Sequence, residues 1–182
     1  MVYLFLADGF EEIEALTPVD VLRRAGVEVT TVGVTGKRVV GAHGVALEAD
    51  VSPEEAEALT DGAEIEMIVL PGGMPGAENL DKSPLVDTFI KKALDADAYL
   101  AAICAAPMVY GKRGLLKERD ATCYPGFEKY LEGAHYYEAS VVVDGNFVTS
   151  DGMGSALDFA LQLTALLKGD DVSERIAQSI RA

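Results

Sequence analysis

Apolar residues in this chain follow two patterns that alternate from one end to the other. Residues 2–7 and 98–103 are nearly continuous apolar runs, the mark of strands covered on both faces, and residues 27–34 and 66–70 extend the set. Between them, apolar positions recur at helical spacing, as in Leu85, Val86, Phe89, Ile90, Ala93 and Leu94 after the start signal Ser83-Pro84. Further helices are expected over 11–24, from Ser52-Pro53, after Cys104-Ala105-Ala106-Pro107, over 155–167 and over 173–180. Pro18 should kink or split the first of these, and Ser155 with Asp158 should cap the long apolar one. Residues 38–40 and 45–48, joined through Gly41-Ala42-His43-Gly44, read as a short hairpin inserted into the rhythm. Short strands are expected at 121–123, 134–137, 140–144 and 146–150. Strand–helix alternation over this length predicts a three-layer α/β/α sandwich with a mostly parallel sheet.

Composition narrows what such a sandwich does. The 182 residues suit one domain spanning 1–182, and no linker, repeat or low-complexity tract divides them. Acidic residues outnumber basic ones 30 to 15, and the net charge of −15 works against binding nucleic acid or an anionic membrane. Two cysteines, Cys104 and Cys123, are the usage of a cytoplasmic protein. The apolar start is too short for a signal peptide and no run would span a bilayer, so the expected protein is soluble and intracellular.

In a parallel sheet, chemistry gathers at the carboxyl ends of the strands. Three segments fall there: 8–14, 71–76 and 103–107. Cys104, between a strand and a helix among small alanines, is placed as a nucleophile at a tight elbow, where a helix N-terminus would lower its pKa. The plain alternative is a buried small hydrophobe. Gly72-Gly73 exposes backbone N–H groups that, with Ala105 N–H, could form an oxyanion hole, although most such glycine pairs are turns. No dinucleotide or phosphate-loop fingerprint is present, so no cofactor is expected. Glu11, Glu12 and Glu14 form an acidic helix start; one turned inward beside sulfur would be protonated, but the residues alone do not say which. His43 reads as an exposed turn residue and His135 as an edge residue without a paired ligand, so no metal site is expected. Cys123 reads as a strand cysteine, and residues 152–155 as either an anion-binding helix start or a plain turn.

Four segments, F-E-E-I-E-A-L-T-P-V-D-V-L-R-R-A-G, V-L-P-G-G-M-P-G-A-E-N-L, A-A-I-C-A-A-P and T-S-D-G-M-G-S-A-L-D-F-A-L, resemble the ThiJ/PfpI family in order and spacing over nearly the whole chain. Within it they look most like the branch of the Parkinson-disease-associated protein deglycase. The resemblance implies a flavodoxin-like homodimer in which Cys104 is the nucleophile and Glu14 its hydrogen-bonding glutamate. It also implies Gly73 and Ala105 as oxyanion donors. It brings glyoxalase or deglycase chemistry on methylglyoxal and related small carbonyls, redox sensing or chaperone activity through cysteine oxidation, and, among some relatives, a thiamine-biosynthesis label. Two positions depart from the family. Ala105 stands where peptidase-like members carry histidine, which argues against a protease. Tyr124 stands where many relatives carry a histidine near the thiol, leaving Glu14 as the only expected base. His43 occupies a hairpin position where relatives often carry an arginine reaching the partner's pocket, so Tyr124, His43 and Gly72 are further pocket candidates.

Overall fold

The computed structural model describes residues 1–59, 62 and 64–182. Its strands are β1 (Val2–Leu6), β2 (Val29–Gly33), the hairpin β3 (Arg38–Val40) and β4 (Ala46–Glu48), β5 (Met67–Leu70), β6 (Tyr99–Ile103), a short pair β7 (Asp120–Ala121) and β8 (His135–Tyr136), β9 (Val141–Asp144) and β10 (Phe147–Ser150). Six of them form one sheet in the order β2-β1-β5-β6-β10-β9, parallel except for β9. The helices are α1 (Glu12–Arg24), α2 (Pro53–Leu59), α3 (Gly76–Asp81), α4 (Pro84–Asp95), α5 (Pro107–Gly111), α6 (Ala156–Lys168) and α7 (Asp170–Ile180).

The period of two along each strand sorts its side chains between the faces of the sheet. Tyr3, Phe5, Ile68, Leu70, Leu100 and Ala102 meet the apolar sides of α2 to α5. Val2, Leu4, Leu6, Met67, Val69, Ala101 and Ile103 meet α1 and α6. Both faces are thus covered, which explains why these strands read as uninterrupted apolar runs. The result is the three-layer α/β/α sandwich that the pattern predicts, of the flavodoxin-like kind that the family resemblance implies, with the hairpin β3–β4 as a separate two-stranded sheet.

Several local expectations are corrected. Pro18 does not split α1: the helix is continuous over 13 residues, and its missing N–H gives up the bond that residue 18 would make to the Glu14 carbonyl. Pro18 lies on the buried side with Ala15, Val19 and Leu22, where packing holds the helix together. The Ser155–Asp158 cap does not form, because Ser155 Oγ donates to Asp151 Oδ1 at 2.6 Å. Helix α3 follows Pro71-Gly72-Gly73 without any apolar periodicity to announce it, and α7 starts at Asp170, earlier than its pattern indicates.

Arg113, just past α5, ties three helices together. Its guanidinium donates to Asp81 Oδ1 (2.7 Å), the Asp81 carbonyl (2.8 Å), Asp87 Oδ1 (2.6 and 2.8 Å) and the Val109 carbonyl (2.7 Å). Replacing Arg113 with alanine should cost about 2–3 kcal/mol, since the mostly buried Asp81 is left with Lys112 alone. Urea unfolding of the variant would check this.

Candidate active site

Because β1, β5 and β6 are neighbours, their carboxyl ends deliver the segments 8–14, 71–76 and 104–107 to one edge of the sheet. Cys104 follows β6 directly with φ at +63°, a left-handed conformation that costs a side-chain-bearing residue about 1–3 kcal/mol. The neighbours hold it there: Cys104 N–H donates to the Ser150 carbonyl, and Tyr124 N–H donates to the Cys104 carbonyl, both at 2.8 Å. The thiol is turned out of the strand line and left partly exposed.

Glu14 comes to the sulfur from α1. It is fully buried, and its carboxyl interacts directly with the Cys104 thiol. Gly72 N–H donates to Glu14 Oε2 at 2.9 Å, while Oε1 is buried without a hydrogen-bond partner. The backbone N–H groups of Gly73 and Ala105 bond to the sulfur. Gly73 reaches this position with φ at +84°. Gly72 is required by space: a Cβ there would lie 2.6 Å from Glu14 Oε2, 2.7 Å from Cys104 Cβ and 3.0 Å from Ala105 N. Gly72→Ala should therefore cost roughly 1–3 kcal/mol by overpacking. It should also spread Glu14 and Cys104 apart. A drop in melting temperature together with an altered rate of Cys104 alkylation by iodoacetamide would show both.

Burial raises the Glu14 carboxyl to a pKa of about 7, against the pull of the thiol and of Gly72 N–H and with a further push from Glu11. Burial, followed by the charge of Glu14, also raises the Cys104 thiol, while the Gly73 and Ala105 N–H groups pull it down. The depressed thiol pKa expected from a helix N-terminus is not found. Helix α5 begins only at Pro107, which has no N–H, and is five residues long. Both groups of the pair are instead held toward their neutral forms: the carboxyl gives up its proton near 7, and the thiol keeps its own well above the ordinary thiol value.

The three glutamates separate cleanly. Glu12 and Glu14 are two positions apart, about 200° around a helix, and turn to different neighbours. Glu12 Oε1 accepts from His43 N–H at 2.8 Å, and Oε2 lies 2.9 Å from His43 Nδ1. Burial pushes Glu12 up, but these bonds and those from backbone N–H groups win and keep it below its ordinary value. The same hydrogen bond, with the charges of Glu11 and Glu12, raises His43. His43 is exposed as expected, but it clamps the hairpin to the start of α1 and is not among the groups acting on Cys104. Glu11, Glu12 and His43 place ligand-type atoms within 4.8 Å of one another, a grouping that the sequence reading did not foresee because the histidine is remote in sequence. His135, expected to be unpaired, lies 3.2 Å from Asp120 Oδ1. Tyr124 touches the site through its backbone, and its half-exposed ring faces Phe127, 6.4 Å away. Cys123 is fully buried, and burial pushes its thiol up to about 12. Residues 153–155 form a single 3-10 turn.

Comparison with known proteins fits this geometry. Residues 1–166 match the DJ-1/PfpI family. The chain is 38% identical over 177 residues to the Parkinson disease protein 7 homolog of Danio rerio, covering 95% of this chain and 92% of that protein. It is 30% identical over 171 residues to the glutathione-independent glyoxalase DJR-1.2 of Caenorhabditis elegans, covering 93% and 89%. The crystal structure of Drosophila melanogaster DJ-1beta superposes with a TM-score of 0.93 at 33% identity, covering 100% of this chain and 97% of that one. With its elbow cysteine and buried glutamate at the sheet edge, this chain belongs to the DJ-1/PfpI family.

Proposed function

We propose that this protein is a cysteine-dependent enzyme of the glyoxalase or deglycase type acting on methylglyoxal and related reactive carbonyls. The observation that carries the reading is the arrangement at one sulfur: a nucleophile at a strained elbow, two N–H donors and one buried carboxyl that titrates near neutrality. Glu14 takes the proton of the Cys104 thiol as the sulfur attacks the aldehyde carbon and forms a C–S bond. The carbonyl oxygen gains the negative charge, is stabilised by Gly73 and Ala105 N–H, and takes the proton from Glu14 to give a hemithioacetal. Glu14, now a carboxylate, removes the proton from the sulfur-bearing carbon to give an enediol and returns it to the neighbouring carbon, while the hydroxyl proton on the sulfur-bearing carbon passes to the former ketone oxygen, giving a thioester of the hydroxy acid. Water then hydrolyses the thioester, releasing lactate and restoring the thiol. Every bond change uses groups of this chain, the substrate and water. The C. elegans glyoxalase supports the reading. Incubation with methylglyoxal in the absence of glutathione should consume the carbonyl and produce lactate enzymatically; lactate at the background rate would refute the proposal.

The same setting favours a second reading, redox sensing. Gly73 and Ala105 N–H and a protonated Glu14 would also hold the oxygens of an oxidised sulfur, and Cys104 is the more exposed of the two free cysteines. Mild peroxide should add two oxygens to Cys104 and none to Cys123; equal oxidation of both would count against it. The proposal includes a homodimer, supported by the exposed Ile13 and Leu16 on α1, and a location in a reducing, cytoplasmic compartment, supported by two free thiols. Sedimentation would test the dimer. Among the described residues, no helix is long and apolar enough to cross a membrane.

A further inference from the structure

We propose a second binding site, for a small phosphomonoester, in a cavity of about 520 Å³ at the C-terminal end of α5. Its lining brings Lys112, Lys117 and Lys129 together with a single acid, Glu132. In a chain with net charge −15, three ammonium groups around one concavity are a local reversal of sign, and such a concavity focuses the field on an incoming anion. Two of the three positive charges are not neutralised from within. Among the described residues, neither Lys117 nor Lys129 pairs with a carboxylate, and Asp81, which holds Lys112 at 2.7 Å, is shared with Arg113. Two of the ammonium groups are positioned by one ring: Lys112 Nζ and Lys129 Nζ each lie 5.0 Å from the centre of Tyr130. The walls are fixed by close backbone packing, since a Cβ on Gly111 would lie 2.1 Å from the Tyr130 carbonyl oxygen. With Lys112 paired to Asp81, Lys117 and Lys129 against Glu132 still leave the lining net positive, which suits the negative charge of a phosphomonoester. Lysine ammonium groups bind phosphate as point charges, whereas a carboxylate would be gripped better by an arginine fork, and no arginine lines this cavity. The volume accommodates a small metabolite as well as its phosphate.

The site stands apart from Cys104 and does not depend on the proposed reaction. Titration of the isotope-labelled protein with glycerol 3-phosphate should give saturable amide shifts at Lys117, Tyr130 and Gly133. Glycerol and lactate, which lack the dianion, should give none. The K117Q/K129Q double variant should bind about tenfold more weakly, equivalent to about 1.4 kcal/mol. Binding by wild type should weaken as salt rises. The Cys104→Ser variant should bind as wild type does, so this result is independent of whether the enzyme reading succeeds. Absence of saturable shifts, equal shifts with lactate, or unchanged affinity in the correctly folded double variant would overturn the proposal.

Discussion

Cys104→Ser should abolish methylglyoxal consumption, lowering the rate by more than ~10³-fold, about 4 kcal/mol of transition-state stabilisation, while the fold survives. A serine hydroxyl is far harder to ionise than a thiol, and Glu14 beside it, which titrates near 7, is too weak a base to deprotonate it. The substitution changes one atom at a partly exposed position, so the loss of stability should stay within about 1 kcal/mol. Cys123→Ser serves as the control. It lies in the core with its thiol held protonated by burial, and its removal should leave turnover intact. Lactate production by a folded Cys104→Ser protein at the wild-type rate would sink the mechanism.

Glu14→Gln should have two large effects of opposite kind. Catalysis falls by about 10²–10³-fold, because an amide neither gives the oxyanion a proton nor removes one from carbon. Stability near neutral pH rises. In the wild type, burial holds the folded carboxyl at about 7, whereas an unfolded glutamate titrates near ~4.3. Below the unfolded value, Glu14 is protonated in both states and its stabilising contribution is fully present. As the pH rises toward 7, the unfolded chain releases the proton while the folded one keeps it, so stability falls, by roughly 3–4 kcal/mol once the folded group also ionises. The variant lacks this slope and should be the more stable protein above pH 7 by roughly 2–3 kcal/mol, with the amide oxygen that replaces the carboxylate still accepting from Gly72 N–H. Parallel urea titrations at pH 5, 7 and 8 would measure the difference. A slope equal in both proteins would show that Glu14 ionises freely in the folded chain.

These two residues were not equally legible. Cys104 could be read from its place between an apolar run and Ala105-Ala106-Pro107, because a strand ending against a helix start leaves few geometries for the residue between. Glu14 could not be chosen by local rules from Glu11 and Glu12; family resemblance singled it out, and in the structure it alone is fully buried and bonded to Gly72. The expected low thiol pKa failed for a related reason: a dipole argument needs a helix that begins at the cysteine, and α5 begins three residues later. The clamp between His43 and Glu12 and the lysine-lined cavity likewise join groups that are distant in the chain or that belong to a 3-10 turn without a sequence signature.

By itself, the sequence determined the layers of this protein and the strand ends at which chemistry gathers, because hydrophobic periodicity and turn residues act over a few positions and survive in any context. Only the tertiary structure decided which glutamate meets the sulfur, how burial shifts both groups and why position 72 must be glycine. Those outcomes depend on burial and on how closely α1, β5 and β6 bring Glu14, Gly72 and Cys104 together, and such long-range contacts leave no periodic trace in the chain.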